Sequence, residues 1–162
     1  MLVSAEIMEN SYSGTHMKEQ IFIRNARPSD FDAVIALDET GHVEGKQAYW
    51  RRIFEHYVNC GDDACHFLIS EINDTVVGFI VGEVRAWEFG SPPCGWVFAL
   101  SVSPRNRKMG IGQRMFEEIC DCLKRSGAAT VRTMVEREDK LTLSFFRNQG
   151  LSSGKYVELE TS

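Results

Sequence analysis

Cysteine pairs at metal-ligand spacing are missing from this chain. Its five cysteines, Cys60, Cys65, Cys94, Cys120 and Cys122, contain no CxxC and no Cys/His ligand pattern. That argues against a metal site or a disulfide framework, and for reduced thiols in a cytoplasmic protein. Cys120 and Cys122 stand two apart in an expected helix, on different faces, and are poor partners for each other. No apolar run approaches the roughly 18 residues of a membrane span. Basic excess is missing: 18 Lys and Arg stand against 23 Asp and Glu, a net charge of −5. A phosphate-backbone footprint has the opposite sign, so no nucleic acid partner is expected. The opening MLVSAEIMENSYSG lacks the basic start and apolar core of a secretory signal. There is no internal repeat and no low-complexity stretch. What is present is an ordinary globular mixture, 43% hydrophobic and 25% charged over 162 residues, the size of one domain.

Residues 1–19 show no period and are set aside as a disordered leader or a tag scar, with a natural start near Met17. Residues 20–162 are expected to form a single domain. Ile21 to Ala26 alternates as a strand should. Pro28-Ser29-Asp30 offers a cap to a helix through Phe31, Val34, Ile35 and Leu37. After a break at Gly41–Gly45, Tyr49, Trp50, Ile53, Phe54 and Tyr57 recur at helical spacing. Cys65 to Ile72 and Thr75 to Trp87 form a hairpin about Asn73-Asp74. Residues 88–95 make a loop, and Trp96 to Ser103 reads as a strand buried on both faces. A helix runs from Gly110 to Ser126-Gly127, and Thr130 to Val135 is a strand. Leu141 to Gln149 is a short helix closed by Gly150, and Lys155 to Glu160 is a last alternating strand. The order β-α-α-β-β-β-α-β-α-β is mixed α/β, with an antiparallel half followed by a strand–helix–strand crossover.

The stretch SVSPRNRKMGIGQRMF, Ser101 to Phe116, carries the chemistry. A buried strand runs into a loop with Arg105, Arg107 and Lys108, then Gly110 and Gly112 open an amphipathic helix. Glycine lets a ligand approach the backbone closely. The helix start has unpaired N–H groups and a partial positive charge. Together they suit a phosphate or pyrophosphate. The string GxxxxGK[ST] does not occur. GIGQRM places Met115 where a dinucleotide fingerprint needs its third glycine.

At Val102-Ser103-Pro104 and Arg107-Lys108-Met109-Gly110-Ile111-Gly112 the chain resembles the GCN5-related N-acetyltransferase (GNAT) family. That family has a V-x-P strand end, then [R/Q]-x-x-G-x-[G/A] opening a helix. SFFRNQGL, with Phe146, Gly150 and Leu151, resembles a second family element. The resemblance covers about residues 21–160. It implies a GNAT-like α/β fold: a mixed sheet with an antiparallel N-terminal half and a parallel splayed strand pair, flanked by helices. It implies acetyl-CoA as donor, with the amides of Arg107, Lys108, Met109, Gly110, Ile111 and Gly112 on its pyrophosphate. Leu100 and Val102 would pair with the pantetheine arm. Asp139 falls where the family often has an asparagine on the cofactor, and a carboxylate cannot donate as an amide does. Phe146 falls where many members carry a tyrosine acting as general acid, and phenylalanine has no proton to give. A thiol of pKa near about 8.5 leaves as thiolate unaided.

The implied reaction is direct attack of a primary amine on the thioester. Such an amine has a pKa near about 10.4, so a base must take its proton. Glu83, a carboxylate inside a Val-rich strand, is the candidate base, with pairing to Arg85 as its plain structural alternative. Glu88 in the following loop is a weaker candidate, and Leu100 N–H is the candidate oxyanion donor. His42, His56 and His66 read as surface or satisfied residues, and Glu136 to Lys140 as a solvated charge cluster. Tyr49, Trp50, Phe54 and Tyr57 read as core, with the lining of an acceptor pocket as the other reading. The acidic balance weakly favours a cationic acceptor. The function classes are an N-acetyltransferase on a small-molecule amine, one on a peptide, and a non-catalytic acyl-CoA-binding module. An exposed edge in the antiparallel half would allow a homodimer.

Overall fold

The computed structural model describes residues 20–38, 46–59 and 63–161. The expectations for residues 1–19, for Gly41–Gly45, and for His42 and Cys60 lie outside the described residues. Five strands form one sheet in sequential order: β1 (Ile21–Asn25), β2 (Cys65–Ile72), β3 (Thr75–Arg85), β4 (Cys94–Val102) and β5 (Thr130–Arg132). The first four are antiparallel in turn, and β4 and β5 are parallel. Asn73 and Asp74 both take positive φ, 49° and 60°, as a two-residue hairpin with the sheet's twist requires.

Helices cover both faces. α1 (Phe31–Leu37) and α2 (Lys46–Tyr57) lie on one, α3 (Ile111–Arg125) and α4 (Lys140–Asn148) on the other. The alternation of each strand divides the core accordingly. Phe67, Ile69, Phe79 and Val81 pack with Val34, Trp50 and Phe54. Leu68, Ile80 and Val97 pack with Ile111, Met115, Ile119 and Leu123. Each such fully buried side chain contributes about 1.5–3 kcal/mol. α3 sits low on the sheet because Met115, Ile119 and Leu123, four residues apart, meet Gly78, Gly82 and Gly95. A Cβ there would stand 2.9, 3.1 and 2.7 Å from those side chains.

Asp38, at the end of α1, accepts from Trp50 Nε1 at 2.6 Å and Lys46 Nζ at 3.1 Å, which ties α1 to α2. Asp30 turns back instead of capping α1. It accepts from the Arg27 amide at 2.7 Å and pairs with Arg24, which also binds Glu71. Burial alone would raise the Asp30 carboxyl, but these hydrogen bonds outweigh it and hold the group below the ordinary carboxylate range.

Two expectations are corrected. The strand expected over Thr130 to Val135 ends at Arg132. The strand expected over Lys155 to Glu160 does not form, and those residues are exposed coil, with Val157 79% and Leu159 90% exposed. Alternation describes a strand only where a ladder partner and a buried face exist. Here β5 is short and the tail meets neither.

Candidate active site

β4 positions the site through one irregularity. Val81 lies opposite Ala99, but Gly82 lies opposite Val97, so Phe98 is an extra residue in β4. Such a bulge bends the strand and re-aims its side chains. Phe98 and Ala99 both pack toward α1 and α2, whereas Val97 and Leu100 pack toward α3. On its far side β4 is paired only through Cys94, Gly95 and Trp96, because β5 ends at Arg132 opposite Trp96. From Val97 onward that edge has no strand partner among the described residues.

The direction of the main chain follows from one bond. Ser103 N–H donates to Val77 O of β3 at 2.8 Å. Alternation then points Ser101 toward β3 and turns the N–H and C=O of Leu100 and Val102 into the unpaired gap. Ser101 also donates its hydroxyl to Leu37 O at 2.8 Å, fixing β4 to the end of α1.

Beyond Pro104 the chain turns through Arg107, Lys108, Met109 and Gly110, all exposed. Lys108 and Gly110 take left-handed φ of 71° and 77°. Gly110 is the N-cap of α3 and no side chain caps the helix there. Its ladder starts with Arg114 N–H to Gly110 O at 3.1 Å, so the amides of Ile111, Gly112 and Gln113 point out of the helix end. The Ile111 side chain is itself core, 1% exposed, leaving its main chain alone to face the end. The open loop, the uncapped helix and the free edge of β4 are continuous, which suits an extended ligand with an anionic end.

Gly112 faces α4. A side chain there would stand 3.3 Å from Phe145 Cε2 and 3.7 Å from Val102 Cγ2. Phe146 lies deeper, 6% exposed, with its ring 5.5 Å from that of Phe116 and 5.0 Å from that of Phe145. Asp139 is the N-cap of α4 and accepts from Thr142 N–H at 3.0 Å. Hydrogen bonds from Thr142 hold its carboxyl below the ordinary range.

Glu83 lies on the α1/α2 face. Its Oε1 accepts from Arg85 Nε at 2.7 Å and its Oε2 from the Tyr57 hydroxyl. Burial, and then Glu83, raise the Tyr57 phenol well above its ordinary value, so it stays protonated. The Tyr57 ring lies 5.4 Å from that of Phe98, the bulge residue. The Arg85 guanidinium lies 5.0 Å from the centre of the Trp96 ring, and Trp96 is the cross-strand partner of Glu83. Glu83 thus comes together with a tyrosine hydroxyl at the bulge, and separately from Phe146, Asp139 and the loop at Arg107. Glu88 sits in the loop after β3, between Trp87 and Phe89, whose rings are in solvent. Among the histidines, His66 pairs with Ser126 Oγ at 2.9 Å and His56 Nε2 lies 3.9 Å from Cys65 Sγ. Phe98 and Trp96 were not singled out as site residues by sequence. Tyr57 was read as core or as the lining of an acceptor pocket, and Arg85 as a partner of Glu83. The bulge that gathers them leaves no mark in the hydrophobic pattern.

A strand with one open edge thus leads into an uncapped, glycine-opened helix. The chain matches the Acetyltransferase (GNAT) family model over residues 31–151, and it belongs to that family. Aminoglycoside N-acetyltransferase AAC(6')-Iy in complex with CoA has a similar structure: TM-score 0.76, 13% identity, covering 88% of this chain and 95% of that one. Aminoglycoside 6'-N-acetyltransferase AAC(6')-IG from Acinetobacter haemolyticus gives a TM-score of 0.73 at 12% identity, over 87% and 97% of the two chains. A curated L-2,4-diaminobutyric acid acetyltransferase from Nocardia farcinica is 24% identical over 87 residues, 54% of this chain. The chain spans less than half of that relative, 44% of its length. Among the described residues no helix is long and apolar enough to cross a membrane.

Proposed function

We propose that this protein transfers an acetyl group from acetyl-CoA to a primary amine by direct attack, with the folded unit from residue 20 onward acting as one domain. The observation that carries this is the unpaired edge of β4 at Leu100 and Val102, continuous with the uncapped start of α3. The residues present fit the donor. Leu100 and Val102 offer main-chain groups to an extended arm. Arg107, Lys108, Met109, Gly110, Ile111 and Gly112 offer amides and two cations to a diphosphate. Asp139 contributes through the α4 cap it makes, and Phe146 through the aromatic packing under Phe145. Acetyl-CoA supplies the acetyl group as a thioester. In the net reaction an ammonium and the thioester give an amide, a free thiol and one proton.

The chain's own groups have three tasks. Fewer than about one lysine-like amine in a thousand is neutral at pH 7, so a proton must be removed. The Tyr57 hydroxyl, donating to Glu83, is an acceptor toward the amine and relays its proton to Glu83. Leu100 N–H, pointing into the gap, stabilises the oxyanion. With Phe146 lacking a hydroxyl, the sulfur leaves as thiolate and takes its proton from solvent. Names among the relatives, an aminoglycoside and a diamino acid enzyme, support a small amine acceptor.

The test is calorimetry with acetyl-CoA alongside radiolabelled acetyl transfer to polyamines, amino acids, aminoglycosides and peptides. We expect binding and turnover of a small amine. Transfer only to peptides supports the peptide-modifying reading. Binding with no turnover across the panel supports the non-catalytic acyl-CoA-binding module, and absence of binding removes all three.

A further inference from the structure

The cluster beside the bulge has unused hydrogen-bond donors. Its carboxylate, Glu83, accepts one bond at each oxygen, from Arg85 Nε and from Tyr57. Donors are in surplus. Arg85 carries five N–H groups, and among the described residues only its Nε–H is engaged. Trp96 Nε1 is buried and also has no partner among the described residues. The guanidinium is held by Glu83 at one edge and by the Trp96 ring beneath. Its side chain is 38% exposed.

A planar fork fixed in this way matches a carboxylate in two-bond geometry, and its ordering cost has already been met by the fold. We propose that Arg85 binds a carboxylate on the acceptor, which makes the acceptor class amines that also carry a carboxylate, of the diamino acid type. This rests on the amine-acetylation reading above. The local charges favour a monoanion. Arg85 is a single cation beside the anionic Glu83, a poor match for a phosphate dianion. An acceptor with one ammonium and one carboxylate meets Glu83 and Arg85 with opposite charges. Arg85 Nε and the Tyr57 hydroxyl bond the two oxygens of the same Glu83 carboxylate, so a carboxylate on the outer edge of Arg85 and an amine at Tyr57 belong to one small molecule, as in a diamino acid.

The experiment compares kcat/KM for acceptors that differ only in the carboxylate: ornithine with putrescine, and 2,4-diaminobutyrate with 1,3-diaminopropane. We expect the carboxylate member to be favoured about 10- to 100-fold. In Arg85→Gln the ratio should fall to near one, and in Arg85→Lys, which keeps charge but not the fork, part of the way. A loss caused by disturbing Glu83 strikes both members and cancels in the ratio. A wild-type ratio near one, or a ratio that both variants leave unchanged, overturns the assignment. Calorimetry of ornithine on the CoA-saturated protein keeps the two readings apart. If no amine is turned over but ornithine binding is lost in Arg85→Gln, the carboxylate site stands and the acetyl-transfer reading falls.

Discussion

At Gly112 the missing side chain serves packing as much as approach. A Cβ there would stand 3.3 Å from the Phe145 ring, a tight contact, so α3 and α4 meet closely over this glycine. Gly110 does the other job: nothing lies within 4 Å of its Cβ position, and its φ of 77° is what the sharp entry into α3 requires. The proposed proton path runs through Tyr57, which the sequence placed in the core or in the lining of an acceptor pocket. Replacing Tyr57 by Phe keeps the ring against Phe98 and removes only the hydroxyl on Glu83. We expect kcat for acetyl transfer to fall about 100-fold, with affinity for acetyl-CoA unchanged by calorimetry. A loss below about threefold excludes Tyr57 from the proton path. Glu83 stood out in the sequence as a carboxylate among valines, but its partners did not. Arg85 lies two residues away on the same face and is readable by alternation. Tyr57 is 26 residues distant in sequence, and only the fold brings it near.

At the scale of elements, hydrophobic period was a good guide wherever an element has a face to bury. α3 begins and ends close to where its apolar stripe and the Ser126-Gly127 stop put it. The alternating tail of residues 155–160 shows the converse, a period without a partner. Between elements, His66 on β2 bonds Ser126 at the end of α3. Burial, with Arg125 nearby, lowers its basicity; Asp63 opposes this and loses. Well above about pH 6.5 both folded and unfolded His66 are neutral and its contribution to stability is intact. As pH falls below that, the unfolded chain takes up the proton first and stability is lost. Each pH unit over which only the unfolded state binds the proton costs about 1.4 kcal/mol. The melting temperature should therefore fall between pH 7 and pH 5.5. His66→Gln should flatten that slope, and an equal slope in the variant would assign it to other groups.

For the whole molecule, the proposed donor site is divided between β4 and the start of α3, two parts that a single ligand would join. Acetyl-CoA at 100 times its dissociation constant should add about 2.7 kcal/mol to the folded state. That corresponds to a rise of roughly 5–10 °C in melting temperature for a chain of this size, read by scanning calorimetry. No rise would remove the proposed donor site. The sequence by itself determined the order of most elements, the mixed sheet and the glycine-opened turn at Arg107 to Gly112. All of these are written in local period, turn residues and short-range spacing, which act between near neighbours in the chain. The tertiary structure alone decided that β5 stops at Arg132, that Phe98 bulges, and that Tyr57, Glu83, Arg85 and Trp96 meet. Those outcomes depend on which strands find ladder partners and which side chains cross the sheet, contacts between segments far apart in the chain that no local pattern encodes.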